Sequence, residues 1–464
     1  MQLWPHGPNT SFSKEANMDL SPTALRTAYA KGEVTPVDVV NFVLSRLDDD
    51  DQENVWISTV DPNKALDVAA ALAQRLGEFA ELPLFGLPFS VKDNIDVAAE
   101  PTTAACPEFR YIADQSAFVV EEAIKAGAIY IGKTNLDQFA TGLVGVRSPY
   151  GTPKNPHNAD YIPGGSSSGA GVSVATGIVS FAFGTDTGGS GRVPASYNGI
   201  AGLKPAPGLL SRKGLVFACR SIDTPTIFAR SAVDAAAVYT AVGAHDAGDP
   251  YMTHPAVIKA TPKMPSKPRI AVPQEADLKF FGDSEVENLF EAAKARAVAQ
   301  FGALSEVDFT PFTSLNDMMF FGPLLAERDV SIGAFIEDKE KASDKTVRGI
   351  MQMSKKITAA EAYGAQYKVM DTKVATQAFW AAHDILMVPT VGHVLTKAAL
   401  EADPLQPNFN NGYYTNFANP LGLSAIATPF SKTAAGVPWG VTFLIKHANL
   451  EWLAEITASY SAKS

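Results

Sequence analysis

Cysteine is almost absent from this sequence of 464 residues, which contains only Cys106 and Cys219. Two cysteines cannot build a disulfide-stabilised scaffold or a cysteine-ligated metal cluster, and such low usage fits a reducing compartment. The seven histidines are scattered and show no H-E-x-x-H spacing, which argues against a zinc hydrolase. The sequence therefore indicates a cytoplasmic protein without a metal centre.

Positive charge and long apolar runs are also scarce. The chain has 38 Lys and Arg against 49 Asp and Glu, a formal net charge of −11. This balance argues against a nucleic-acid groove or an anionic membrane surface as partner. Residues 161–185 carry no charge, but PGGSSSGAG in their first half is too rich in glycine and serine for a lipid-facing helix. The N-terminus lacks a basic start followed by an apolar run, so no targeting signal is predicted.

The predicted elements alternate between strands and helices, which is typical of an α/β fold. Ser21-Pro22 and Thr35-Pro36 are helix-start signals within an N-terminal helical segment at 1–60. Residues 256–268 are rich in proline and lysine and are predicted to be a surface linker. The whole chain, 1–464, is predicted to be one domain without a C-terminal accessory domain. Further predicted helices are 61–78, 117–126, 284–301, 355–379 and 450–460, and predicted strands are 84–95, 128–135, 269–273, 384–390 and 439–445.

Glycine and serine concentrate between residues 155 and 231, in loops that three interpretations could explain. A flexible linker is the simplest, but linkers do not alternate with apolar strands and helices as this segment does. A phosphate-binding loop would need G-x-x-x-x-G-K-[ST] or a strand–helix unit with G-x-G-x-x-G, and neither is present. The third interpretation is a nucleophilic site, in which glycines allow close approach to each serine and backbone amides bind an oxyanion.

These loops resemble the serine motifs of the amidase signature family. GGSSSGAG contains Ser166 and is followed 24 positions later by Ser190 in DTGGSGRVPA. LPFSVKDNIDV resembles the family's lysine motif and contains Lys92. The segments RSIDTPTIFARS, NPLGLSAIATP, GVPWGVTFLI and GEVTPVDVV also match family landmarks, so the resemblance covers nearly the whole chain in order. It implies an α/β fold with a large mixed β-sheet core and helices on both faces.

The resemblance implies a Ser–Ser–Lys catalytic triad. Ser190 would be the nucleophile, and Ser166, after a cis peptide bond, would bridge it to Lys92 as the distal base. A buried lysine can be neutral near pH 7 because burial disfavours its charged form, and Ser166 could then relay the proton. The implied oxyanion hole consists of the backbone amides of Thr187, Gly188, Gly189 and Ser190.

Three neighbours of the predicted nucleophile have other interpretations. Asp186 and Arg192 flank the nucleophile and are expected to be scaffold ions that hold the loop rather than to act on the substrate. Gly191 stands where the family usually has an aliphatic residue, a departure that leaves the atoms assigned to catalysis unchanged.

Within this family, finer features resemble the allophanate hydrolases, whose substrate is a urea that carries a carboxylate. The segments that carry this likeness are TGLVGVRSPYGTPKNP, FACRSIDTPTIFARS, FFGPLLAERDVSIGAF and YYTNFANPLGLSAIA. A carboxylate needs a charge partner, and Arg328 is the candidate because arginine binds carboxylates through two hydrogen bonds. The alternative for Arg328 is a surface ion pair with Glu327 or Asp329.

The same likeness implies three further substrate contacts. Asn416 is the candidate donor to the urea oxygen, and Gly142 is expected to offer backbone contacts. Phe320 lies eight residues before the candidate arginine, where the subgroup usually has a tyrosine. A hydroxyl contact is therefore missing at this position or supplied elsewhere.

Two other functions stay open at this point. One is a different amidase, acting on aryl or aliphatic amides or serving as a glutamyl-tRNA amidotransferase subunit. The other is a non-catalytic binding protein on an amidase fold. For the catalytic interpretation, the resemblance implies a small-molecule substrate, no cofactor or metal, no nucleic-acid or membrane partner, and a homodimer.

Overall fold

The computed structural model describes residues 18–259, 264–320, 322–446 and 448–461, apart from the side chains of Lys259, Phe320 and Glu340. An 11-stranded mixed sheet runs through this part of the chain, with a two-stranded sheet beside it and helices around it. The strands are β1 Trp56–Thr59, β2 Pro88–Lys92, β3 Pro101–Thr102, β4 Tyr111–Ile112, β5 Ile129–Thr134, β6 Phe181–Asp186, β7 Ala201–Lys204, β8 Thr224–Ala229, β9 Ile270–Pro273, β10 Ser305–Val307, β11 Ile385–Pro389, β12 Ser424–Lys432 and β13 Pro438–Ile445.

The α-helices occupy most of the connections between strands. They are α1 Pro22–Lys31, α2 Pro36–Arg46, α3 Pro62–Gln74, α4 Phe118–Lys125, α5 Ser168–Ala175, α6 Val193–Asn198, α7 Ala232–Val242, α8 Pro255–Lys259, α9 Ser284–Phe301, α10 Thr310–Thr313, α11 Asp317–Phe320, α12 Leu325–Arg328, α13 Ala334–Asp338, α14 Lys345–Ser354, α15 Ala359–Ala375, α16 Gln377–Ala382, α17 Lys397–Ala402, α18 Gln406–Asn411 and α19 Leu450–Ser461.

The large sheet has the strand order β1-β5-β2-β6-β8-β7-β12-β13-β11-β9-β10. Strands β5, β2 and β6 are parallel neighbours, whereas β6, β8, β7, β12, β13 and β11 pair antiparallel in turn. Every residue of β2, β6, β8, β11 and β13 is buried. Helices therefore cover the centre of the sheet, and the predicted α/β class is confirmed.

Several predicted elements match the structure closely, and others differ: the strand predicted over 84–95 covers only Pro88–Lys92, and the predicted linker 256–268 begins within helix α8 Pro255–Lys259. The helix predicted over 284–301 coincides with α9. The helix predicted over 355–379 is wrong in extent, because Thr358 and Glu361 form a capping box that begins α15, which ends before α16 starts. The N-terminal segment 1–60 also contains a strand, since β1 pairs with β5 at the sheet edge.

Both halves of the chain contribute to the large sheet. Strands β1 to β8 precede the segment 256–268 and β9 to β13 follow it, and β7 pairs with β12 across this division. Residues 260–263 of the predicted linker lie outside the described residues. The assignment of 1–464 to one domain stays a prediction, which the shared sheet supports.

A buried ion pair organises the loop that follows β6. The Nη2 and Nε atoms of Arg192 donate to the carboxylate of Asp186 at 2.9 and 3.0 Å, and both side chains are fully buried. Asp186 also accepts from the amides of Gly189 and Gly191, each at 2.9 Å. Burial alone would raise the pKa of Asp186, but the Arg192 guanidinium holds it below its usual range. Arg192 further donates to the carbonyl of Thr415 at 2.9 Å, which ties this loop to a distant part of the chain.

We expect Arg192→Met to destabilise the fold by about 3–5 kcal/mol, because the variant leaves the carboxylate of Asp186 buried without its cation. Urea unfolding at pH 7 gives the free energy of unfolding. The matched control is Arg75→Met, whose partner Glu78 shares an exposed pair with both side chains 48% accessible. That variant should lose far less stability, because solvent screens the exposed pair. Equal losses in the two variants would contradict a structural role for the buried pair.

Candidate active site

The first serine loop, before α5, is shaped by a carboxylate beneath it. The peptide bond between Gly165 and Ser166 is cis, as the family resemblance implies. A side chain on Gly165 would collide with the carboxylate of Asp137, so the position accepts only glycine. The amide of Asp137 donates to the carbonyl of Ser166 at 3.0 Å, which fixes the loop. Ser167 has a structural role, since its hydroxyl donates to the carbonyl of Thr185 at 3.1 Å.

Lys92 lies at the end of β2 and points at the first serine loop. Its Nζ donates to Ser166 Oγ at 2.7 Å and to Thr185 Oγ1 at 2.9 Å. Strand β6 carries Thr185 and pairs directly with β2, so the sheet sets this contact. Asn94 Nδ2 also donates to Thr185 Oγ1, at 3.2 Å. The structure thus brings together two of the three predicted triad residues.

The Lys92 amine is buried without a carboxylate at ion-pair distance in the described chain. Burial lowers its pKa from 10.5 to about 7, although the more distant carboxylates of Asp137, Asp223 and Asp186 oppose this shift. The charge of Arg328 lowers the pKa further. A lysine with a pKa near 7 is partly neutral at physiological pH and can accept a proton.

A second buried lysine nearby shows a different arrangement. Lys133 Nζ lies 2.9 Å from Asp93 Oδ1, and both side chains are fully buried. Asp93 directly follows Lys92 in sequence, yet its carboxylate binds the other lysine. The ion pair therefore leaves the Lys92 amine available for proton transfer.

Ser190 lies in the loop between β6 and α6, with 3% of its surface exposed. Gly189 precedes it with φ +139°, a conformation that glycine adopts without strain. In the described residues Ser190 Oγ forms no hydrogen bond with Ser166 Oγ. The predicted nucleophile thus lies in this loop, and of the three predicted triad residues only Ser166 and Lys92 are in hydrogen-bond contact in the described chain.

The backbone amides around Ser190 differ in their availability for an oxyanion. The Gly189 amide already donates to Asp186 Oδ1. In the described part of the chain, the amides of Thr187, Gly188 and Ser190 donate to no backbone or side-chain acceptor. Three of the four predicted oxyanion-hole amides are therefore free to bind a substrate oxygen.

Two residues that the sequence analysis did not single out hold this loop in place. Thr187 Oγ1 donates to Asp223 Oδ1 at 2.5 Å, and Thr415 Oγ1 donates to the carbonyl of Gly188 at 2.6 Å. Burial raises the pKa of Asp223 to about 6, although the hydrogen bond from Thr187 favours the charged form. Asp223 was within reach of sequence reasoning, because it lies in the family-like segment RSIDTPTIFARS. Thr415 likewise lies in the family-like segment YYTNFANPLGLSAIA, but the sequence analysis gave its hydroxyl no role.

Arg328 ends α12, directly before a π-helical turn at Asp329–Gly333. Only 3% of the residue is exposed, and its Nη1 donates to the carbonyl of Phe139 at 3.2 Å and to Thr141 Oγ1. The alternative ion pair with Glu327 or Asp329 is not formed, since these carboxylates accept from serine side chains instead. Among the described residues no carboxylate lies at ion-pair distance from Arg328, although the more distant carboxylate of Asp223 opposes the effect of burial on its pKa.

A second buried arginine, Arg147, also donates to Thr141. Its Nη1 donates to the carbonyl of Thr141 at 2.8 Å and its Nη2 to the carbonyl of Pro404 at 2.7 Å. Burial lowers the pKa of both Arg147 and Arg328, and the charge of Arg147 adds to the effect on Arg328. This part of the site is therefore electropositive and suited to an anionic group.

Asn416 is buried with both polar atoms of its amide unpaired. Its Oδ1 lies beside Gly188, only 2.7 Å from where a Cβ at that position would be. The residue lines a cavity of about 360 Å³, whose wall also includes Asn316, another buried amide with an unpaired oxygen. Buried polar groups normally have hydrogen-bond partners. An unpaired amide beside the loop between β6 and α6, which carries the predicted oxyanion-hole amides, therefore indicates a ligand-binding position.

The last two predicted substrate contacts are less informative. A side chain on Gly142 would come within 2.6 Å of Asp137 Oδ2, so this position requires glycine for space. Phe320 ends α11, and its side chain lies outside the described residues.

Neither a metal centre nor a membrane span emerges from the described ranges. Within residues 18–259, 264–320, 322–446 and 448–461, no group of three or more His, Cys, Asp or Glu side chains is placed to hold a metal ion. The helices in these ranges are too short or too polar to cross a bilayer.

Comparison with known proteins agrees with this geometry. The family model described as Amidase matches residues 38–449. Urea amidolyase from Saccharomyces cerevisiae is 36% identical over 451 residues, which is 97% of this chain and 24% of that protein. A glutamyl-tRNA(Gln) amidotransferase subunit from Symbiobacterium thermophilum is 30% identical over 461 residues, which is 92% of this chain and 93% of that protein. The chain thus spans about a quarter of the length of the urea amidolyases that it matches.

Among solved structures, the allophanate hydrolase of Kluyveromyces lactis superposes with a TM-score of 0.88 at 34% sequence identity. The match covers 96% of this chain and 73% of that one. Because the family model spans most of the sequence and the relatives share its fold at this level of identity, the chain belongs to the amidase family.

Proposed function

We propose that this protein hydrolyses the amide C–N bond of allophanate, a small carboxylated urea, and releases ammonia. The observation that carries the proposal is the buried guanidinium of Arg328, which has no carboxylate partner in the described chain and acts electrostatically on Lys92. A buried cation is costly unless it is paired, and a substrate carboxylate would supply the missing charge. The likeness to the K. lactis allophanate hydrolase supports the same substrate.

In the proposed first half-reaction, Ser190 Oγ attacks the terminal amide carbon of the substrate. Its proton passes to Ser166 while the proton of Ser166 passes to neutral Lys92, with which Ser166 shares a hydrogen bond of 2.7 Å. The carbonyl oxygen becomes an oxyanion. Its available hydrogen-bond donors are the free amides of the nucleophile loop, the loop between β6 and α6 that carries Ser190. The C–N bond then breaks, and the proton returns through Ser166 to the departing nitrogen. Ammonia leaves, and the carboxylated acyl group stays on Ser190.

In the second half-reaction a water molecule attacks the acyl-enzyme. Lys92 takes a proton from that water by way of Ser166, and as the ester bond breaks the proton returns through Ser166 to Ser190 Oγ. The product carries carboxylates at both ends of its single nitrogen. Asn416 is proposed to donate to the urea oxygen, because its unpaired amide lies beside the oxyanion loop.

We expect Ser190→Ala to lower the rate of hydrolysis by roughly 10⁴-fold or more, since the variant lacks the attacking atom. The fold should persist, because a hydroxyl group facing the loop contributes little packing. The measurements are ammonia release and the urea midpoint of unfolding. Ser168→Ala is the control, since its hydroxyl forms only a long bond of 3.4 Å to the carbonyl of Asn135. Substantial turnover by Ser190→Ala would mean that another residue is the nucleophile.

The pH dependence of kcat should follow the ionisation of the Lys92 amine. Its pKa is about 7 and its neutral form accepts the proton, so kcat should be low below pH 6 and level off above pH 8. Lys92→Arg should be nearly inactive at every pH, because arginine does not deprotonate.

Lys204 provides the control for this profile. Burial also lowers its pKa to about 7, but its Nζ donates only to the carbonyls of Pro205 and Leu423. Lys204→Met should therefore keep the midpoint of the pH profile. Loss of the midpoint in this variant, or a flat profile in the wild-type enzyme, would assign proton transfer to another group.

The Arg328→Gln variant tests whether the substrate carries a carboxylate. Removing one partner of a buried charge-assisted pair costs about 2–5 kcal/mol, so kcat/KM for allophanate should fall roughly 30- to several-thousand-fold. Biuret has an amide in place of the carboxylate, so kcat/KM for biuret should fall far less in this variant. The control variant is Arg220→Gln, at an exposed arginine. It should change kcat/KM for either substrate by no more than about threefold.

Equal losses for allophanate and biuret would make Arg328 a structural residue. The protein would then be an amidase for neutral amides, one of the alternatives that the sequence left open. Activity on glutamine in the same assay would favour an amidotransferase subunit instead.

A further inference from the structure

A short turn at residues 218–223, directly before β8, contacts two parts of the site that are distant in sequence. Its last residue is Asp223, whose Oδ1 accepts from Thr187 Oγ1 at 2.5 Å. The other oxygen, Oδ2, accepts from the amides of Ala218 and Cys219 at 2.7 and 3.0 Å. The carboxylate therefore closes the turn and at the same time holds Thr187, whose amide belongs to the predicted oxyanion hole.

A second contact joins the same turn to the nucleophile loop. Asn419 Nδ2 donates to the carbonyl of Ile222 at 3.0 Å and to the carbonyl of Asp186 at 2.7 Å. All three residues are buried, so water does not compete strongly for these hydrogen bonds. The turn and the nucleophile loop are therefore expected to move as one unit.

The other side of the turn is attached to α12, the helix that ends with Arg328. The amide of Ser221 donates to Glu327 Oε2 at 2.8 Å, and the Ser221 hydroxyl donates to Glu327 Oε1. Cys219 Sγ donates to the carbonyl of Leu324, directly before α12, at 3.3 Å. Because α12 is only four residues long and Glu327 precedes Arg328, a shift of the arginine is transmitted to these contacts.

The guanidinium of Arg328 is only partly engaged with the protein. Its Nη1 donates to the carbonyl of Phe139 and to Thr141 Oγ1. Among the described residues no acceptor receives a hydrogen bond from its Nε or Nη2, so this side of the guanidinium is available to an anion. The π-helical turn that follows α12 interrupts the regular helical repeat and gives the arginine a flexible support.

We propose that the 218–223 turn couples carboxylate binding at Arg328 to the geometry of the oxyanion hole. Its positioning residues are Ser221 and Glu327 on one side and Asp223 on the other. The inference rests on the proposed function, because the anion is the carboxylate of the substrate. When that carboxylate binds, α12 is held in place, and the turn holds the nucleophile loop in the arrangement that receives the oxyanion.

The coupling changes how the substrate carboxylate contributes to catalysis. A neutral amide of the same shape can enter the site, but it leaves α12 and therefore the nucleophile loop less firmly held. Binding energy from the remote carboxylate is then used in the transition state, so it raises kcat as well as affinity. A turn that served only as a scaffold would support the hydrolysis of charged and neutral amides equally.

The first test removes the contact between the turn and α12. Glu327→Ala loses both hydrogen bonds from Ser221, and we expect kcat for allophanate to fall about tenfold. The kcat for biuret should change by less than about twofold, because biuret brings no carboxylate to Arg328. KM for allophanate should stay within about threefold, since the arginine itself remains. Ser221→Thr keeps both donors and should keep the wild-type kcat, as should the control Arg220→Gln in the same turn.

The second test is a double-mutant cycle between the two ends of the connection. Thr187→Val removes the hydrogen bond to Asp223 with little change in side-chain volume. Thr187 and Glu327 share no hydrogen bond in the described chain, so independent effects on kcat would multiply. If the turn couples them, the variant with both Thr187→Val and Glu327→Ala should lose no more kcat for allophanate than the more affected single variant. Circular dichroism verifies that each variant is folded.

The third test supplies the carboxylate as a separate molecule. Acetamide offers an amide bond without a carboxylate, and formate offers the anion without the amide. At constant ionic strength, formate should raise kcat of the wild-type enzyme for acetamide at least about threefold. In Glu327→Ala and in Arg328→Gln, formate should leave this rate unchanged.

Three results would overturn the coupling. They are equal falls of kcat for allophanate and biuret in Glu327→Ala, multiplied losses in the double variant, and hydrolysis of acetamide that formate does not accelerate. Failure of the proposed function has a separate signature, namely equal losses of kcat/KM for allophanate and biuret in Arg328→Gln. If Arg328→Gln affects allophanate selectively while Glu327→Ala has no effect on kcat, the proposed function stands and the coupling is wrong.

Discussion

The carboxylate of Asp186 is the constraint on which the active site depends. It ends strand β6 and collects two hydrogen bonds from Arg192 and one each from the amides of Gly189 and Gly191. These four donors turn the loop so that the amides of Gly189 and Gly191 are occupied, while those of Thr187, Gly188 and Ser190 donate to no acceptor in the described chain. Because Arg192 also donates to the carbonyl of Thr415, the same charge joins the nucleophile loop to the last third of the chain.

The distribution of buried charge explains which groups can react. Arg192 and Lys133 each have a carboxylate partner, so their charges are neutralised within the fold. Lys92 and Arg328 have none in the described chain, and they lie close enough for one to lower the pKa of the other. An unpaired lysine becomes a base because it can lose its charge, whereas an unpaired arginine keeps its charge and can bind an anion. In the proposed mechanism, proton transfer and anion binding therefore fall to two cations of different acidity.

Local sequence patterns predicted the parts of the site that are continuous in the chain. The serine and lysine motifs pointed to Ser166 and Lys92, which are in contact, and the periodicity that predicted α9 matched the structure to the residue. Thr415 was missed, because its contact with Gly188 joins positions 227 residues apart and leaves no local trace. The short helices and π-helical turn around Arg328 were missed for a similar reason, since packing rather than a sustained repeat sets their ends.

The pairing of β7 with β12 has a consequence for the newly made chain. Lys92, both serines and β7 are synthesised well before β12 and before Thr415, whose hydroxyl fixes the nucleophile loop. A ribosome-bound chain can therefore carry every residue of the proposed triad and still lack a formed oxyanion site. Because the contact between Thr415 and Gly188 joins positions 227 residues apart, the nucleophile loop cannot take this arrangement until Thr415 has been synthesised.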